Sequence, residues 1–137
     1  AGASPRDVVD AALGVIPDDS WTARTIRHVV AHPDDLDAVI VKHYPWTDVA
    51  PEAVALAIAA YLAGDGDVET VVTHGVGLGR DADTIGAISG AIAGAGQGEG
   101  GVPARWAAKI GPATGKCLPF VRGRHVLDVA DELAERL

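Results

Sequence analysis

Cysteine, methionine and aromatic residues are scarce in this chain of 137 residues. Cys117 is the only cysteine, methionine is absent, and Phe, Trp and Tyr together make up 4% of the sequence. A single cysteine excludes an internal disulfide and a cysteine-based zinc site. Because the chain is long enough to bury a core without such staples, these features predict one domain in a reducing, cytoplasmic environment.

Clustered positive charge is also missing. The sequence has 11 Lys and Arg against 19 Asp and Glu, which gives a formal net charge of −8. Affinity for a phosphate backbone depends on clustered basic residues, so nucleic acid is not an expected partner. The weakly charged stretch 85–98 is shorter than the ~20 apolar residues that a membrane span needs. The sequence therefore predicts a soluble protein that does not enter a membrane.

Helical signals dominate, and β-branched residues cluster only in short runs. Proline and small polar residues mark several helix starts, as in Ser4-Pro5 and in Asp18-Asp19-Ser20. The clearest helix opens near Pro51 and ends at Gly64, where a C-cap glycine is expected. The pattern predicts an all-α fold with helices over 5–15, 21–31, 34–44, 51–63, 67–75, 83–95, 103–110 and 126–137.

One of these helices consists almost entirely of Gly, Ala, Ser and Ile. Its glycines Gly86, Gly90 and Gly94 recur every four residues. Each interior glycine costs a helix ~1 kcal/mol relative to alanine, so we expect a compensating gain from close packing of a neighbouring backbone. The sequence therefore predicts a compact multi-helix bundle with a central Gly/Ala-rich helix that is buried on nearly all sides.

Two carboxylates and a hydroxyl lie within four residues at the start of that helix, on Asp81, Asp83 and Thr84. Crowded oxygen donors suit Mg²⁺, Mn²⁺ or Ca²⁺, which prefer oxygen ligands. Three donors fill only part of an octahedral shell, so water, substrate or other residues must supply the rest. The motif is a candidate half-site for a hard cation.

Two other interpretations apply to the same motif. An EF-hand calcium loop beginning at Asp81 needs a bidentate Glu at its twelfth position, and that position is Ile92, so the loop is excluded. The three residues could instead be helix caps, with Asp83 as the N-cap. A cap needs only one oxygen, however, and a second carboxylate nearby adds repulsion unless a cation neutralises both.

The residues that carry a resemblance to a known family form a run from Gly79 to Ala95 and four later positions, Gly98, Val102, Pro103 and Trp106. This pattern resembles the C-terminal signature of the ADP-ribosylglycohydrolase family. The segments 12–17 and 51–67 resemble the helices that precede that signature.

The resemblance implies an all-α hydrolase that cleaves the glycosidic bond between ADP-ribose and a protein side chain or small acceptor, using two Mg²⁺ or Mn²⁺ ions. The family's Asp-x-Asp-Thr motif supplies metal ligands, which carries over onto Asp81, Asp83 and Thr84. The implied substrate is an ADP-ribosylated protein or a small ADP-ribosyl compound.

The chain also departs from the family pattern. The other metal ligands of the family come from a Thr-Asp-Asp motif in the N-terminal half, which also carries a Gly-Asp-Ala-x-Gly motif. This sequence contains neither motif and no methionine. We therefore expect residues 1–137 to be a single helical domain that forms the C-terminal half of a longer or split protein, completed by an N-terminal half in cis or as a separate chain. The competing hypothesis is a non-catalytic helical protein that keeps the core of the fold for binding or structure.

Overall fold

The computed structural model describes residues 2–33 and 49–136. Within these two ranges the chain forms seven α-helices and two 3₁₀ turns, and no strand. The helices are α1 (Pro5–Val15), α2 (Trp21–Ala31), α3 (Ala50–Ala63), α4 (Val68–Gly77), α5 (Ala82–Gln97), α6 (Ala104–Ala107) and α7 (Val126–Ala134). The predicted all-α fold is confirmed. The helix predicted over 34–44 lies outside the described residues.

The first two helices occupy the predicted ranges because their caps are local. The Asp7 amide donates to Ser4 Oγ over 3.2 Å, and the Ser4 amide donates to the Asp7 carboxylate over 3.1 Å. This reciprocal pair is a capping box. At the start of α2, Ser20 Oγ accepts a hydrogen bond of 3.1 Å from the Ala23 amide. Hydrogen bonds between a serine hydroxyl and the amide three residues ahead therefore determine where both helices begin.

The chain divides into two compact units between Val102 and Pro103. The first unit contains α1 to α5 and the second contains α6 and α7. Both are helical, and the expectation that residues 1–137 act as one domain stays a prediction. No helix in the described parts of the chain has the length and apolar character needed to cross a membrane.

Helix α3 lies at the centre of the first unit. Every residue from Ala55 to Tyr61 is buried, and α1, α2, α4 and α5 all contact this helix. Small alanine side chains allow neighbouring helices to approach from several directions, while Leu56 and Ile58 supply much of the apolar bulk.

Helices α4 and α5 pack closely through small residues. A Cβ placed on Gly90 would lie 2.8 Å from Val72 Cγ2, and one placed on Gly75 would lie 2.9 Å from Ser89 Oγ. These glycines therefore permit an approach that alanine would obstruct, as the sequence predicted for Gly90. A Cβ on Gly94, in contrast, would meet nothing within 4 Å, so the predicted close packing is wrong for this glycine.

Helix α5 is buried on fewer of its faces than expected. Its buried residues Ile85, Gly86, Ser89 and Ala93 face the neighbouring helices, whereas Ala87 and Ala91 are exposed. The expectation of burial on nearly all sides is therefore wrong in extent, because alanine suits an exposed helix face as well as a buried one.

In the second unit, backbone hydrogen bonds connect Ala113 with Gly123 and Arg124. Arg124 Nη2 also donates to both carboxylate oxygens of Glu132, each over 2.8 Å, so the segment before α7 is attached to that helix. Helix α7 ends at Ala134, earlier than predicted.

Candidate metal centre

A loop of four residues, 78–81, connects α4 to α5 and carries the acidic motif. Two consecutive residues in it have left-handed backbones, Gly79 with φ of 68° and Arg80 with φ of 58°. Glycine adopts this conformation readily, whereas other residues, arginine included, seldom do. The loop therefore reverses the chain within a few residues and directs Asp81 to the start of α5.

Asp81 occupies the N-cap position of α5, with φ of −81° and ψ of 62°. Its backbone carbonyl accepts the first helical hydrogen bond, 2.9 Å long, from the Ile85 amide. Its carboxylate makes no capping hydrogen bond. The prediction that Asp83 is the N-cap is wrong, because the helix begins at Ala82 and Asp83 lies within its first turn. The position of Asp81 thus agrees with the capping interpretation, but its side chain does not perform that role.

The three predicted ligands lie at the N-terminus of α5, with Asp81 at the N-cap and Asp83 and Thr84 in the first turn. Asp81 and Thr84 are half-buried, and Asp83 is exposed. Negative side chains are favourable here because they offset the partial positive charge of the helix N-terminus. The donor set, two carboxylates and one hydroxyl, fits Mg²⁺ or Mn²⁺ in kind. Within the described residues, no further His, Cys, Asp or Glu completes a group of three that could hold a metal.

A buried ion pair lies beside this motif. Arg80 Nε donates to Glu52 Oε1 over 2.8 Å, and Arg80 Nη2 donates to Glu52 Oε2 over 3.0 Å. The Glu52 side chain is 3% exposed and that of Arg80 is 22% exposed. The hydrogen bonds that Arg80 donates to Glu52 raise the pKa of Arg80 above its ordinary value, an effect that burial opposes. This bidentate pair attaches the loop before α5 to the first turn of α3.

The first turn of α3 is itself held by α2. The buried Thr25 hydroxyl lies 3.0 Å from the Pro51 carbonyl, and its one hydrogen is shared between that carbonyl and those of Thr22 and Trp21 in its own helix, at 2.9 Å and 3.1 Å. The residue that follows Pro51 is Glu52, so a continuous set of contacts runs from α2 through α3 to Arg80.

Sequence reasoning did not predict the ion pair between Glu52 and Arg80. A signal was present, since Glu52 is the only charged residue in Ala50–Ala63 and Arg80 is the only basic residue between positions 75 and 95. A single charge in an otherwise apolar helix needs a partner. The sequence does not identify that partner, because 28 residues separate the two.

Comparison with protein-family models matches residues 1–137 to the model described as ADP-ribosylglycohydrolase. The chain belongs to the ADP-ribosylglycohydrolase family. The match covers the whole sequence and confirms the resemblance inferred from the Gly79–Ala95 run. Neither the curated proteins nor the solved structures compared with the chain gave a match.

Membership in this family places the chain among hydrolases. The family match spans the acidic motif at the start of α5, so the residues singled out for their oxygen donors lie within the matched region.

Proposed function

We propose that this chain contributes one side of a dinuclear Mg²⁺ or Mn²⁺ site at which an ADP-ribosyl glycosidic bond is hydrolysed. The observation that carries the proposal is the Asp81 carboxylate, which occupies an N-cap position without capping the helix. A carboxylate there is ordinarily used as a cap. Its oxygens therefore remain available to a ligand.

In this proposal Asp81 and Asp83 bind the cations through anionic oxygens, and Thr84 adds a neutral one. When bound, paired metal ions would polarise the ribose diol and orient a water for attack at the anomeric carbon. The acidic half-site also explains how a chain of net charge −8 would bind an anionic ADP-ribosyl group, because cations neutralise the carboxylates first. The substrate is proposed to be an ADP-ribosylated protein or a small ADP-ribosyl compound.

The half-site needs further donors. We propose that water, substrate and a Thr-Asp-Asp segment, present in cis or on a separate chain, complete the shell. The polypeptide of residues 1–137 should then bind Mn²⁺ weakly, in the millimolar range or worse, and release no ADP-ribose. Addition of an N-terminal half that carries Thr-Asp-Asp should restore tight Mn²⁺ binding and ADP-ribose release together, since both depend on the same coordination shell.

Substitution in that reconstituted assembly tests the ligands directly. Asp81→Ala or Asp83→Ala should abolish Mn²⁺ binding in a calorimetric titration, because a methyl group cannot replace an anionic oxygen. Thr84→Ala should weaken binding less, since water can replace a neutral ligand. Asp10→Ala is a matched control: it removes an exposed helical carboxylate and the same unit of charge, and should leave the affinity unchanged.

Two results would contradict the proposal. Unchanged Mn²⁺ affinity in both the Asp81 and the Asp83 variants would show that the motif binds no metal. Metal-dependent ADP-ribose release by the chain without an added half would show that residues interpreted as structural supply the missing ligands.

A further inference from the structure

The Glu52–Arg80 pair is unusual for its burial. Glutamate is almost never fully buried unless it is paired, and the Glu52 side chain is 3% exposed. Both of its oxygens accept hydrogen bonds from one guanidinium, at 2.8 Å and 3.0 Å. Bidentate pairing constrains the orientation of arginine as well as its distance. The guanidinium of Arg80 is therefore fixed relative to the central helix α3.

The backbone of Arg80 is strained. Its φ of 58° is left-handed, and such a conformation costs a residue with a side chain about 1–3 kcal/mol. Glycine, already used at position 79, would avoid this cost. Arginine at position 80 thus incurs backbone strain that its side-chain contacts must offset. The bidentate bonds to Glu52 are such contacts.

The strained residue directly precedes the first predicted metal ligand. Asp81 has no side-chain capping bond to orient it, so its direction depends on the backbone that leads into it. A change in the backbone of Arg80 would rotate the peptide unit that it shares with Asp81.

The pair also affects local charge. A positive guanidinium one residue from Asp81 would oppose the binding of a cation if nothing neutralised it. Glu52 supplies an equal negative charge in direct contact with the guanidinium. This contact reduces the repulsion that a cation bound to Asp81 and Asp83 would meet from the guanidinium.

Resting on the metal function proposed above, we propose that Glu52 is a positioning residue for the metal half-site. Through its two hydrogen bonds to Arg80 it holds the left-handed backbone that sets the Asp81 carboxylate at the N-terminus of α5. Glu52 does not touch the metal in this proposal. It acts through Arg80 on the direction of Asp81.

The test is a titration of the chain with Mn²⁺. Binding is measured as paramagnetic broadening of the backbone amide NMR signals of residues 81–85. This readout is local and remains sensitive when binding is weak. The decisive variant combines Glu52→Gln with Arg80→Ala. It removes one charge of each sign, so the net charge stays at −8. Alanine, unlike glycine, keeps the cost of the left-handed backbone but lacks the bidentate bonds that offset it.

Loss of positioning should weaken Mn²⁺ affinity at residues 81–85 about tenfold in the double variant, as is typical when a partner of a metal ligand is removed. Arg80→Lys, which keeps the charge but loses the fork, should cause a smaller loss. Arg80→Lys becomes the deciding variant if the double variant does not fold, as judged by helix content and thermal melting. Unchanged affinity in a folded double variant, or in Arg80→Lys if only that variant folds, would overturn the inference.

Glu132→Gln combined with Arg124→Ala is the matched control. It removes the exposed ion pair between these residues, also keeps the net charge at −8, and should leave broadening at 81–85 unchanged. An equal loss in this control would overturn the inference, since the loss would then not depend on the Glu52–Arg80 pair. If the wild-type chain shows no broadening at 81–85, the proposed metal site itself fails. Wild-type broadening with an unaffected double variant overturns only the role of Glu52.

Discussion

The packing of α4 against α5 can be tested with two glycines of the same helix. Gly90 and Gly94 both lie within α5, so replacing either with alanine gains ~0.5–1 kcal/mol of helix propensity. Their surroundings differ. A Cβ on Gly90 would lie 2.8 Å from Val72 Cγ2, whereas a Cβ on Gly94 would meet nothing within 4 Å. Comparing the two alanine substitutions therefore separates the effect of packing on stability from the effect of helix propensity.

We expect Gly94→Ala to stabilise the protein and Gly90→Ala to destabilise it or leave it unchanged. Valine is stiff at χ1, so Val72 must move with its backbone or leave its rotamer. Overpacking of this kind costs about 1–3 kcal/mol, which should be the difference between the two free energies of unfolding. Gly90→Leu, which directs a larger group at the same methyl, should not fold.

Urea denaturation followed by circular dichroism measures both free energies, with an unchanged denaturant slope as the check on two-state unfolding. In thermal melts the two alanine variants should differ by roughly 4 °C per kcal/mol. Equal stabilisation by both substitutions would refute the reasoning, because it would mean that α4 does not approach Gly90 closely.

Two further predictions concern the contacts that hold the first unit together. Thr25→Val should lower the free energy of unfolding by about 1 kcal/mol, because it removes the hydroxyl that bonds to the Pro51 carbonyl and keeps the shape of the side chain; an unchanged urea midpoint would contradict this. Hydrogen bonds from Thr70 lower the pKa of Asp67 below 3.8, so its contribution to stability is fully present above that pH and is lost as the pH falls through the folded-state value. Asp67→Asn should therefore flatten the decline of the melting temperature below about pH 4, and identical declines in both proteins would exclude this role.

The helix boundaries that could be predicted from the sequence are those governed by local contacts. Ser4 and Ser20 each bond to an amide three residues ahead, and α1 and α2 begin where expected. The start of α5 was placed wrongly because Asp81 and Asp83 are equally good caps by residue type. Local preference does not distinguish them, and α5 takes Asp81, the residue directly after the left-handed Arg80, as its N-cap.

The candidate site likewise combines features set by local sequence with features set by tertiary packing. Its candidate oxygen donors are close in sequence, so the sequence alone suffices to propose them. The ion pair beside them joins residues 28 positions apart and depends on how α3 packs. A run of alanines around Glu52 gives no periodic signal for the direction of its side chain, because nearly every face of α3 is buried. Prediction therefore ended where tertiary packing, rather than local chemistry, determines the contact.

The central position of α3 explains why it is suited to support the loop. A helix that four others contact is restrained from several sides, so a carboxylate in its first turn provides a rigid attachment point. The loop before α5 spans only four residues and contains a glycine, which makes its backbone variable unless something fixes it. Two parallel hydrogen bonds from one arginine restrict both distance and orientation, whereas a single bond would leave rotation about it free. On this reasoning the position of Asp81 depends on the packing of α3 as well as on the motif that contains it.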